Sequence, residues 1–119
     1  AGFIGNPAMN LIEGRIENGV FRAQNTEIHG FNARDGTTTL GFRAEDASIK
    51  ESGGQINARI YTQELLGEAT MVSVRVGASL VSVKADKAFR SEIDQDVSFG
   101  IVAEICHLFD TQTGARIGD

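Results

Sequence analysis

The sequence predicts an all-β protein: a small barrel or sandwich of short antiparallel strands with at most one short helix. Fourteen glycines stand against a single proline, and threonine and valine cluster where strands would run. Apolar and polar residues alternate with period two in several windows, the pattern of a half-buried strand. These windows recur about every ten residues, divided by Glu17-Asn18-Gly19, Arg34-Asp35-Gly36 and Glu51-Ser52-Gly53-Gly54, a rhythm that suits a barrel or sandwich better than βαβ units.

The first strand spans Leu11 to Glu17, with Ile12 and Ile16 inward, and a second spans Thr38 to Arg43, with Leu40 and Phe42 inward. In the next, Ile56, Ala58 and Ile60 oppose Asn57, Arg59 and Tyr61. Thr70 to Val76 repeats the device, with Val72, Val74 and Val76 on one face and Ser73 and Arg75 on the other. Gly67 between them supplies a turn or bulge, so the two strands form an antiparallel pair. Leu80 to Lys84 and Val97 to Val102 add two more. Between those, Lys84 to Asp94 places Ala85, Phe89 and Ile93 at helical spacing and reads equally as a short helix or a long loop.

Length fits one domain over residues 1–119 with a core of its own. With 41% apolar and 23% charged residues, the composition suggests neither disorder nor a fibrous repeat. The net charge of −5, spread along the chain, argues against nucleic acid and anionic lipid as partners. The only cysteine, Cys106, has no mate for an internal disulfide, and no Asn-x-Ser/Thr acceptor occurs; a reducing, cytoplasmic setting fits. No apolar run approaches the roughly 20 residues of a membrane span, and the start lacks a secretory signal, so membrane association is expected only through another protein. The chain opens without an initiator methionine, which suggests a processed product or a piece of something longer.

Cys106, His107 and Asp110 invite a reading as nucleophile, base and orienting carboxylate. Along an extended chain, however, Cys106 and Leu108 share one face while His107 and Phe109 share the other, which separates thiol from imidazole. Cys106 therefore reads as a buried thiol and His107 as a partly exposed ring. His29 has no second histidine or cysteine at zinc-site spacing. Gly2, Gly5 and Gly14 are not followed by a Walker lysine, and Glu45, Glu64 and Glu68 read as solvated charge. No catalytic, metal or cofactor residue is predicted.

Four stretches taken together resemble the C-terminal regulatory domain of bacterial ABC sugar-importer ATPases, the group that includes the maltose and glycerol-3-phosphate importers. The opening, through Phe3, Ile4, Gly5, Pro7, Met9 and Asn10, is similar to the family's Phe-Ile-Gly-x-Pro-x-Met-Asn segment. Leu40, Gly41, Arg43 and Glu45 match its Leu-Gly-Ile-Arg-Pro-Glu element, and Glu64, Leu66, Gly67 and Thr70 match its Glu-x-Leu-Gly-x-Glu-Thr bend. His107, Leu108, Phe109 and Asp110, followed by a turn through Gly114, resemble the strand that closes its barrel. Ala44 and Ala103 stand where the family favours proline, and Ala69 replaces the bend's glutamate, with Glu68 one place earlier.

The resemblance implies an OB-type β-barrel of the transport-associated (TOBE) kind, related to molybdate-binding barrels. Residues 1–10 would lead in from an ATPase domain, and the Walker motifs, with ATP and magnesium, would lie upstream of Ala1. The chain itself would be non-catalytic, tethering two subunits as a homodimer. The parent would dock on membrane subunits at the inner face of the cell membrane and, in some relatives, receive a regulatory protein. The motifs locate neither the two-fold patch nor the transported sugar. An alternative is a small-oxyanion site built from Asn32 to Thr39 or Val81 to Asp86, which the net negative charge disfavours. A nucleic-acid-binding barrel is disfavoured further, because seven of the eight aromatics are phenylalanines that read as core.

Overall fold

A computed structural model describes residues 9–50, 52–89 and 91–117. Phe3, Ile4, Gly5 and Pro7 lie outside the described residues. In chain order the strands are β1 (Met9–Glu17), β2 (Val20–Ala23), β3 (Thr26–His29), β4 (Gly36–Arg43), β5 (Ser48–Lys50), β6 (Ile56–Leu66), β7 (Ala69–Val76), β8 (Ser79–Asp86), β9 (Asp96–Gly100), β10 (His107–Phe109) and β11 (Arg116–Ile117). Single 3₁₀ turns at Ala44–Asp46 and Ala103–Ile105 are the only helical segments among the described residues. The fold is all-β and OB-like, as the sequence predicts.

All the ladders are antiparallel and run in the order β11-β10-β4-β1-β2-β3-β6-β7-β8, with β9 joining β5 to β6. Chemistry at the turns fixes the hairpins. Asn18 and Gly19 both take positive φ, the requirement of a two-residue I′ turn, and join β1 to β2 in the register Glu17↔Val20. Gly67, at φ 59, begins the two-residue turn between Leu66 and Ala69.

The inward residues read from alternation are buried where they were expected. Ile12, Ile16, Leu40, Phe42, Ile56, Ile60, Val72, Val74 and Val76 form one continuous cluster with Phe21, Ile28, Val81, Val83 and Phe99, and Ala58 packs against it partly buried. Ser73 departs from its expected outward position. It is 7% exposed, because its hydroxyl meets that of Ser82 across β7 and β8 at 2.7 Å, and this mutual bond removes the penalty of burying either.

The window from Lys84 to Asp94 contains no helix among its described residues. Lys84 and Asp86 stay in β8 opposite Met71 and Ala69. The Asp86 carboxylate then accepts the Ala88 N–H at 2.8 Å and its carbonyl accepts the Phe89 N–H at 2.9 Å, a local turn that competes with helix initiation. β2, β3, β5 and β11 arise where no strand was expected. Each has two to four residues, too few for alternation to register.

β8, the last strand of the ladder order, lies against β1 near its middle, although no ladder joins them. One side chain makes the connection. The Asn10 amide donates to the Ser82 carbonyl at 2.8 Å, and the Ser82 N–H donates to the Asn10 carboxamide oxygen at 2.9 Å. A carboxamide thereby supplies the donor and acceptor of a missing strand partner, 72 residues away in sequence and only 7% exposed. Replacing Asn10 by alanine leaves both Ser82 main-chain groups without their partner in a half-buried place, so Asn10→Ala is expected to lose about 1–3 kcal/mol of stability. Urea unfolding checks this; a loss below about 1 kcal/mol would show that the bridge is not needed for closure.

Candidate functional site

The side chains of the C-terminal triad have different partners, although Cys106 and His107 line one groove. Cys106 packs against the core, and its thiol donates a weak bond to the Val102 carbonyl at 3.5 Å. Burial, then the nearby Asp46 and Glu104 carboxylates, push the thiol up to about 12, the reverse of what activates a nucleophile. His107 turns away beside the Phe109 ring, centroid to centroid 6.5 Å.

Asp110 holds a turn. Its carboxylate accepts the N–H groups of Gln112 and Thr113 at 2.8 and 3.0 Å, its own N–H donates to the Ala115 carbonyl at 2.7 Å, and its carbonyl accepts the Gly114 N–H at 2.8 Å. Gly114, at φ 77, closes that turn and returns the chain into β11. The Thr111 hydroxyl meets that of Thr39 at 3.0 Å and fastens the turn to β4.

The structure brings three of the separate motifs to one point. Gly41, in the middle of β4, faces Leu11 of β1 on one side and His107 of β10 on the other. A Cβ placed on it would lie 2.8 Å from Met9 Sδ and 2.8 Å from Phe109 Cε2, so glycine is required by close approach. Leu40 and Leu108, paired across the same ladder, are buried beneath. Arg43 and Asp46 cap the following 3₁₀ turn, the Arg43 N–H donating to the Asp46 carboxylate at 2.9 Å, while Glu45 points to solvent. In the bend, Thr70 is buried and its hydroxyl donates to the Lys87 carbonyl at 3.2 Å, whereas Glu64 and Leu66 are exposed.

The other histidine belongs to a surface network. Glu27 lies 2.8 Å from His29 Nε2 and 3.4 Å from Arg22, and these two neighbours hold its carboxyl below the usual carboxylate range. The open groove above these residues, about 650 Å³, is thus lined by charges already paired with one another. Arg15, Arg59 and Lys87 also have a carboxylate within 4.0 Å. Among the described residues no group of three or more His, Cys, Asp or Glu side chains is placed to hold a metal ion, and no helix is long and apolar enough to cross a membrane.

The arrangement defines a small OB-like barrel whose shared motif residues meet main chain and each other. No family model matches the chain. It is, however, similar along its whole length to the ATP-binding subunits of ABC sugar importers. It is 32% identical, over all of its length and 34% of the relative's, to the sn-glycerol-3-phosphate import ATP-binding protein UgpC of Ruegeria pomeroyi. It is 28% identical over 98% of its length to the multiple sugar-binding transport ATP-binding protein MsmK of Streptococcus mutans, covering 36% of that protein, and equally to UgpC of Escherichia coli K12, covering 35%. The chain thus spans about a third of the length of the curated relatives it matches.

Gly41→Ala should cost about 1–3 kcal/mol, because the Phe109 ring edge must shift within a packed junction; chemical denaturation reads this directly. At pH 7.5 Cys106 should react with iodoacetamide roughly a thousandfold more slowly than an unperturbed thiol, in proportion to its thiolate fraction. Labelling at the free-thiol rate would place Cys106 outside the environment described.

Proposed function

We propose that the chain is the regulatory and dimer-tethering domain of the ATP-binding subunit of a bacterial ABC sugar importer and is itself non-catalytic. The observation that carries this reading is the full-length match to one third of importer ATP-binding proteins, in a fold whose matched motifs are spent on closing a barrel. ATP and magnesium would be bound elsewhere in the parent protein. The parent would join membrane subunits on the cytoplasmic face of the membrane, and residues 1–10 would connect the barrel to the nucleotide-binding part.

Tethering suits this architecture. A barrel closed by long-range bonds is a rigid body that can hold two subunits together while nucleotide-binding parts open and close. Pairing two copies uses the same patch on each, related by a two-fold axis. The alternative, a small-oxyanion site, gains no support from the groove over β2 and β3, whose arginine, Arg22, already faces the Glu17 and Glu27 carboxylates.

An antibody raised against the chain, applied to fractions of the source cells, tests the reading. The expected result is a membrane-associated protein about three times the chain's length, in proportion to the 34% coverage, retained on immobilised ATP. A soluble protein of the chain's own size, with no affinity for ATP, would overturn it. The chain alone is expected to show no ATP hydrolysis and no heat on titration with MgATP.

A further inference from the structure

β6 is flanked unevenly. Its first half pairs with β9 from Ile56 to Arg59, and the last main-chain bonds on that side join Ile60 to Asp94 and Gln95, each at 2.9 Å, while further along the Gln63 side-chain amide donates to the Ser91 carbonyl. From Thr62 to Leu66 the strand pairs with β7 alone. A two-residue turn makes Leu66 and Ala69 a hydrogen-bonded pair, so alternation turns the main-chain groups of Glu64 and Thr62 towards β7 and those of Gln63 and Leu65 away from it. The bulge at Tyr61 reverses the phase, which agrees with Ile60 bonding on the β9 side. Among the described residues no main-chain partner fills the edge at Gln63 and Leu65; Gln63 is half-buried under its side-chain bond to Ser91, and Leu65 and Leu66 are 54% and 48% exposed.

Charge selects what can fill this edge. Glu64 lies between the two outward-facing residues, is exposed, and makes no ion pair among the described residues. If a second copy added its own edge about a two-fold axis using both Gln63 and Leu65, the two Glu64 carboxylates would stand directly opposite each other, an unfavourable cross-strand pair. A strand from a different polypeptide, with lysine or arginine opposite Glu64 and apolar residues opposite Leu65 and Leu66, meets every group on the edge.

We propose that the β6 edge from Thr62 to Leu66 is a β-addition site for an extended polypeptide segment carrying a basic residue flanked by apolar ones. Main-chain bonds to Gln63 and Leu65 hold the segment, and Glu64 selects its charge. This proposal does not rest on the tethering role.

The test titrates the isotope-labelled chain with the blocked pentapeptide Ile-Val-Lys-Thr-Thr at low salt, following amide shifts and hydrogen exchange. The expected result is shifts centred on Gln63 to Leu66, slowed exchange at the Gln63 and Leu65 amides, and a Kd on the order of 1 mM or tighter. Ile-Val-Glu-Thr-Thr should bind roughly threefold to fivefold more weakly, and Glu64→Lys should reverse that preference. Equal binding of both peptides, shifts confined to another face, or no shift at several millimolar would overturn the proposal. So would slowed exchange of the same two amides on concentrating the chain alone, which would make a second copy the occupant.

Discussion

The fold depends on one carboxamide. A sheet that curls so that its last strand meets an interior one must satisfy the main-chain groups at that meeting, or leave them without partners. β8 and β1 approach without a ladder, and the Asn10 amide fills the gap by bonding both Ser82 main-chain groups. An apolar side chain of similar size would fill the volume and leave both groups unsatisfied. An aspartate could accept from the Ser82 N–H but has no N–H to give its carbonyl.

Around that closure several of the motif residues meet one another. Met9 and Asn10 are neighbours on β1, one reaching over Gly41 towards Phe109 and the other reaching β8. The Asp110 turn then fixes β10 and β11 against the outer side of β4. Residues spread across a hundred positions thus secure two seams of one barrel. Their chemistry is the satisfaction of main-chain groups and close packing, and a thiol pushed to about 12 by burial belongs to the same pattern.

Most of this fold was legible in the sequence where strands were long enough to alternate. Ile12 and Ile16, Leu40 and Phe42, and the valines of β7 show their faces because large apolar residues alternate there with polar or small ones, even though Thr39 and Ser73 on the opposite faces are buried as well. β2 and β3 were hidden, being four residues each, and β5 and β11 are shorter still. The phase of β6 could not be read beyond Tyr61, because a bulge there shifts the register. Asn10 was marked by its motif, yet its partner lies 72 residues away, a distance that no local pattern spans. The open edge at Gln63 and Leu65 was equally invisible, since it depends on where β9 stops.

Native-state hydrogen exchange at the Ser82 amide tests most directly whether this closure holds the molecule together. If the Asn10 bridge is the seam on which the barrel depends, that amide exchanges only when the whole molecule unfolds, at the same free energy as the Val72 and Val74 amides of the core. Exchange through local opening, several kcal/mol below the global value, would contradict it and show a barrel that stays folded with the seam undone.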